Sequence, residues 1–273
     1  MKVGYLQFKP VFGEPDKNIS RIADLIQNKE FDLLVLPELA NSGYLFSSKE
    51  ELHELAEQIP GKFCNFLQQI CTERKCYIVS GICENFSKKF YNSGILVHPG
   101  GHIDIYHKIH LFYEEKLWFS PGNEPPGVYR IVTPSPGGDA VDKVSVCIGM
   151  MVCFDWRFPE TARTLALKGA QIICHPSNLV MPQCQDAMAI RALENRVFTI
   201  TANRIGKDVK PDKELAFTGK SIICSPMGEV IHMGAEDTEE CYVTEIDPVL
   251  ALDKLVTKYN DAFADRREEL YYK

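Results

Sequence analysis

A thiol that attacks a carbonyl or nitrile carbon needs a base to take its proton and a cation to hold the negative charge that develops on the substrate. The sequence offers one residue of each kind at the end of an apolar run: Glu38 in "LLVLPELA", Lys108 in "IDIYHKIHLF" and Cys153 in "GMMVCFDWRFPE". Singly, each has an ordinary reading, as a solvated loop acid, a surface charge and a small core thiol. Together they form a chemical unit. If Cys153 lies at an elbow between strand and helix, its sulfur is near backbone N–H groups and the positive end of a helix dipole, which favours thiolate. The N–H of Phe154 then points to where an oxyanion would form.

Such residues have to be delivered by the strands they follow, because α/β folds present functional groups at the C-terminal ends of buried strands. Periodicity predicts strands over 3–8, 31–38, 76–82, 144–152, 170–176 and 197–204, and amphipathic helices over 18–29, 49–57, 62–74, 157–168 and 182–196. A Pro-Gly-Gly turn inside "FYNSGILVHPGGHIDIYHK" marks a hairpin. Further strands are expected at 220–226, 229–233 and 241–247, followed by a short helix and a polar tail. Residues 112–142, with "SPGNEPPG" and "TPSPGGD", read as long surface loops. Strands and helices that alternate, with hairpins at the middle and end, predict an α/β fold with a mixed sheet. No linker divides the 273 residues, so a single domain over 1–273 is expected.

Composition removes several classes of function. A formal charge of −7 argues against nucleic acid as a partner, since phosphate binding needs a basic face. The N-terminus, "MKVGYLQFKP", lacks the apolar core of a signal peptide, and no apolar run reaches membrane-spanning length, so a cytoplasmic protein with no membrane partner is expected. Ten cysteines are scattered without a C-x-x-C pair, which predicts reduced, buried thiols. The histidine pairs in "HPGGH" and "HKIH" come without an H-E-x-x-H or C-x-x-C pattern, so no metal is expected. Cys174 and His175 sit at another strand end but without an elbow, and read as core.

Through "LPELANSGY", "YHKIHLF" and "VCFDWRFPE", in this order and spacing, the sequence resembles the nitrilase superfamily, the carbon-nitrogen hydrolases. The flanking "ALKGAQIICHPSN" and "RALENRVF" look like the same family's continuation. The resemblance implies that Glu38 is the general base, Lys108 the oxyanion stabiliser and Cys153 the nucleophile. It adds a second glutamate after the lysine motif, whose position in "LFYEEKLWFSPG" matches Glu115 better than Glu114. The implied fold is an α-β-β-α four-layer sandwich with two mixed β-sheets. The implied assembly is a homodimer or higher homo-oligomer, formed through the helices after the cysteine and the C-terminal tail, about 248–273. No cofactor is implied.

The first expectation is hydrolysis of a small linear carboxamide to acid and ammonia through a cysteine thioester. Nitrile hydrolysis and N-carbamoyl-amine cleavage use the same three residues, so a small-molecule amide or nitrile is the expected partner. A non-catalytic interaction protein of the same fold is the alternative from another class. Tyr44, Tyr113, Phe154, Trp156 and Asn178, beside the motifs or at another strand end, are the candidate lining of the substrate pocket.

Overall fold

The apolar runs become strands whose alternate side chains enter different layers, as the period-two geometry of an extended chain requires. The computed structural model describes residues 1–134 and 143–271. The first half runs β1 (Lys2–Gln7), α1 (Pro15–Ile26), β2 (Leu33–Val35), α2 (Lys49–Leu55), α3 (Lys62–Arg74), β3 (Tyr77–Phe86), β4 (Lys89–Val97), β5 (Ile103–His107), α4 (Glu115–Trp118) and β6 (Val128–Pro134). The second half runs β7 (Lys143–Met150), α5 (Pro159–Leu167), β8 (Ile172–Pro176), α6 (Cys184–Asn195), β9 (Phe198–Ala202), β10 (Lys207–Lys210), β11 (Lys213–Ala216), β12 (Ile222–Cys224), β13 (Val230–Met233), β14 (Glu240–Glu245), β15 (Leu255–Thr257) and β16 (Asn260–Asp261).

Two six-stranded sheets result, in the orders β14-β1-β2-β3-β4-β5 and β13-β12-β9-β8-β7-β6. Both are mixed: β1, β2 and β3 run parallel, as do β7, β8 and β9, and the outer pairs are antiparallel. Strand β2 shows how the layers are made. Leu33 and Val35 share a core with Met150, Cys174 and Ile200 of the second sheet. Leu34 and Leu36 pack instead with Ile22 and Ile26 of α1 and Phe63 and Leu67 of α3. On the far side, Ala162 and Leu165 of α5 and Met188 of α6 cover the second sheet. The four-layer sandwich is therefore present. Among the described residues no helix is long and apolar enough to cross a membrane.

The differences from the sequence reading have local causes. Helix α1 starts three residues earlier than expected because Pro15 occupies its first turn, where a missing N–H costs nothing. The 112–142 region is not loop throughout: it contains α4 and the edge strand β6, which pairs with β7 from Val128 to Pro134. Most of "TPSPGGD" lies outside the described residues. The charged stretch 207–216 forms the β10–β11 hairpin, which the sequence reading passed over. The helix expected at 157–168 is present as α5 but begins at Pro159, after a 3₁₀ turn over Cys153–Arg157. All ten cysteines are free, nine of them buried.

The tail lies against its own chain. Lys254 Nζ donates to the carbonyls of Asn195 and Arg196 at the end of α6, and the Phe263 ring lies under the Arg163 guanidinium of α5. Leu167, Ile190 and Leu193 of α5 and α6, and Leu250, Leu252 and Leu255 of the tail, remain exposed.

Candidate active site

Three strand ends converge between the sheets. Glu38 follows β2, Lys108 follows β5 and Cys153 follows β7, so the first sheet supplies acid and cation and the second supplies the thiol. All three are buried.

The Glu38 loop is held by backbone pairing with β3: Gly81 N donates to Pro37 O (3.0 Å) and Ala40 N to Gly81 O (3.1 Å). This approach is close enough to require glycine. A Cβ on Gly81 would overlap Glu38 Cα and come within 2.7 Å of Leu39 N. Gly81→Ala is therefore expected to shift Glu38 and lower kcat by about 100-fold, the scale of a misplacement near 1 Å. A kcat measurement beside a thermal melt checks this; a variant as active as the parent would show that the loop has slack.

Lys108 Nζ donates to Glu38 Oε1 at 2.7 Å and to Glu115 at 2.9 Å (Oε1) and 2.8 Å (Oε2). Burial alone would push this ammonium down, but Glu115 and Glu38 outweigh it and hold the lysine above its ordinary value, fully charged. The two carboxylates differ in what is left over. Glu115 Oε1 also accepts from Tyr44 Oη (2.6 Å), and its Oε2 from Phe112 N (3.1 Å). Glu38 Oε1 accepts from Lys108 and from Asn92 Nδ2 (2.7 Å). Among the described residues Glu38 Oε2, though buried, meets no hydrogen-bond donor. One carboxylate is saturated; the other keeps an open lone pair. Glu114, the competing choice for the second glutamate, points elsewhere and pairs with Lys213 Nζ at 2.6 Å.

Cys153 opens the 3₁₀ turn with a left-handed φ of 38°, a backbone position that a side-chain-bearing residue holds only under constraint. The constraint is visible on both sides. His175, at the end of β8, lies beneath, its Nε2 2.8 Å from Cys153 O and its Nδ1 3.0 Å from Thr201 Oγ1. Burial pushes this imidazole down to about 4, so it is neutral. Asp155 accepts from Val152 N (2.9 Å), from His110 N (3.2 Å) and from Tyr106 Oη of β5 (2.8 Å), tying the cysteine turn to the strand that carries Lys108.

The electrostatics correct the expectation of a resting thiolate. Burial, then the Glu38 charge, drive the thiol well above its ordinary value; Lys108 and the Asn178 backbone N–H only partly offset them, with Glu115 adding to the rise. The helix-dipole argument fails because a five-residue 3₁₀ turn, not an α-helix, follows the cysteine. This direction favours the thiol over the thiolate at rest.

The proposed lining residues separate into two hollows. Phe154, Trp156 and Asn178 line one with Cys153, Phe112 and Met181. Tyr44 and Tyr113 line a second, beside Glu115. Phe112 belongs to both. Tyr113 is 70% exposed and marks a rim rather than a wall. Asn178 has a second task, its Nδ2 donating to Glu38 O at 2.9 Å. The sequence reading missed Asn92, although an asparagine inside an apolar strand is itself a signal, since buried amides need partners. It set His175 aside as core; the residue is buried, but it supports the cysteine.

The family model for carbon-nitrogen hydrolases matches residues 2–252. Among characterised proteins, the chain is 46% identical to a protein named nitrilase from Pyrococcus abyssi, with 100% of each chain covered. It is 32% identical to an (R)-stereoselective amidase from a Pseudomonas species, covering 98% of this chain and 92% of that one. Among solved structures, it superimposes on an amidase from a Nesterenkonia species with a TM-score of 0.77 at 24% identity, covering 99% of this chain and 94% of that chain.

Proposed function

The chain belongs to the carbon-nitrogen hydrolase family of the nitrilase superfamily, and from that premise we propose that it hydrolyses a small, uncharged linear carboxamide to acid and ammonia through a thioester on Cys153. The observation that carries this reading is the unequal pair of carboxylates around Lys108, with Glu38 Oε2 left open in a buried site beside the thiol.

Glu38 Oε2 takes the Sγ proton as sulfur bonds to the amide carbon. The carbonyl oxygen becomes an oxyanion held by the Lys108 ammonium and the Phe154 N–H, which precedes the first bonded N–H of its turn, Asp155 N to Val152 O. Collapse breaks the C–N bond, and the proton on Glu38 leaves with ammonia. Water then attacks the thioester while Glu38 accepts its proton, and the second collapse returns that proton to the departing sulfur. Glu115, saturated by Lys108, Tyr44 and Phe112, fixes the ammonium rather than moving protons.

Substrate charge follows from the walls. Among the described residues that line either hollow none is basic, and the one at Cys153 is mostly apolar. A neutral four-carbon amide is expected to exceed the same amide ending in a carboxylate by at least about 100-fold in kcat/KM, since an unpaired charge in such a place costs several kcal/mol. The 46% identity to a protein named nitrilase favours nitriles as the second reading. Ammonia release from matched amides, nitriles and N-carbamoyl amines, with the products identified, decides between them. No release from any of them would overturn the assignment as an enzyme.

A further inference from the structure

The tip of the β4–β5 hairpin gathers three ligand-type side chains far along the chain from the cysteine. His98 is the first residue after β4, His102 the last before β5 and Asp104 the second residue of β5. The turn is closed by His98 N donating to His102 O (3.0 Å) and Gly101 N to His98 O (3.2 Å), with Gly101 at φ +90°. Residues 102 and 104 fall on one side of the chain by strand alternation, and the turn brings His98 to the same side. The two imidazoles meet opposite oxygens of one carboxylate: His98 Nε2 is 2.7 Å from Asp104 Oδ2, and His102 Nε2 is 2.9 Å from Asp104 Oδ1.

We propose that His98, His102 and Asp104 form a binding site for one divalent transition-metal ion of the zinc type, taken through Nε2 of both imidazoles and the Asp104 carboxylate. One ligand atom from each lies within 4.8 Å of the others. Two imidazole nitrogens with one carboxylate oxygen suit zinc, cobalt or nickel, whereas calcium and magnesium demand oxygen donors. At bond lengths near 2.0–2.1 Å, the donors of a tetrahedral ion stand roughly 3.3 Å apart. The two imidazole–carboxylate contacts, at 2.7 and 2.9 Å, would each lengthen by about 0.5 Å to stand at three corners, with water at the fourth.

The surroundings divide the site into a fixed part and an adjustable part. Helix α3 holds the hairpin through Gln68 Nε2 to His98 O (2.7 Å) and Thr72 Oγ1 to Pro99 O (3.2 Å), and the Tyr77 ring meets the His98 ring edge-on at 5.2 Å. The His102 side chain is 67% exposed, so it can swing to meet an ion arriving from solvent. Motif searching by spacing misses this arrangement, because the third ligand comes from across the turn and outside "HPGGH". Asp104 stands four residues before Lys108 along one extended segment, roughly 13 Å away. An ion there pins the hairpin that carries Lys108 and takes no part in the reaction.

The test uses the full chain with Zn²⁺ or Co²⁺ as the only added probe, and the variants His102→Ala, at an exposed position, and Asp104→Asn, which keeps the shape of a partly buried side chain. Titration calorimetry should find one ion per chain, weakened at least about 10-fold by either substitution, since even losses behind the ligand shell cost that much. Zinc should raise the thermal midpoint of the parent by a few degrees and leave His102→Ala unmoved. The cobalt spectrum should lack the intense near-ultraviolet band of a thiolate ligand. A thiolate band would place the ion on a cysteine, and unchanged affinity in the variants would place it elsewhere. Either result, or no saturable binding up to about 1 mM, overturns the proposal.

Discussion

Glu38→Gln is expected to silence turnover and at the same time make Cys153 easier to alkylate. The first effect removes the open carboxylate oxygen beside the thiol, and loss of a general acid-base typically costs about 100 to 10,000-fold in rate. The second follows from what raises the thiol. Burial is the largest cause and the Glu38 charge the next, against the lowering effect of Lys108. Neutralising Glu38 leaves the ammonium nearer to dominance, so more thiolate exists at a given pH. In the parent, iodoacetamide modification of Cys153 should climb only as pH passes above 9.0, the ordinary value that this thiol exceeds. In Glu38→Gln the climb should begin at lower pH. Peptide mass spectrometry at several pH values separates this thiol from the nine others. Slower labelling in Glu38→Gln would mean that the glutamate promotes the thiolate at rest, and the resting-thiol reading would fall.

Lys108→Met should cost both activity and stability, and a second substitution separates the two losses. An oxyanion donor is worth about 100 to 1,000-fold in kcat. Removing the cation also leaves Glu38 and Glu115 buried without their partner, a change that typically destabilises by about 3–5 kcal/mol. Adding Glu115→Gln removes one of the stranded charges. The double variant should recover part of the thermal midpoint and none of the activity, a coupling read by comparing the two single variants with the double. If Glu115→Gln restores turnover as well, Lys108 serves only as a counter-ion to the acids.

The strand ends that carry Glu38, Lys108 and Cys153 were legible because each closes a short, largely apolar run whose length suits a buried strand. Glu115 was preferred to Glu114 only by its match to the family motif; their different partners, Lys108 and Lys213, come from the fold. The protonation of Cys153 was not legible, because it depends on burial first and then on charges delivered from the other sheet rather than on the elbow itself. Strand β6 was hidden by the proline-rich segments on either side, and the β10–β11 hairpin by its lysines and acids, which mimic a solvated loop. Asn92 carried a signal as an amide inside an apolar strand, but its partner Glu38 follows another strand, a pairing that no local pattern records.

The pairing of β14 with β1 has a consequence for synthesis. All of Glu38, Lys108, Glu115 and Cys153, with their supports His175 and Asn178, precede residue 180, but the strand that flanks β1 spans Glu240–Glu245. A chain emerging from the ribosome thus carries its whole reactive set before β1 loses its open edge, and an open edge invites pairing with other chains. Chains that stall before β14 combine a complete set of reactive side chains with an unguarded edge, so quality control has most to gain by removing them at that stage.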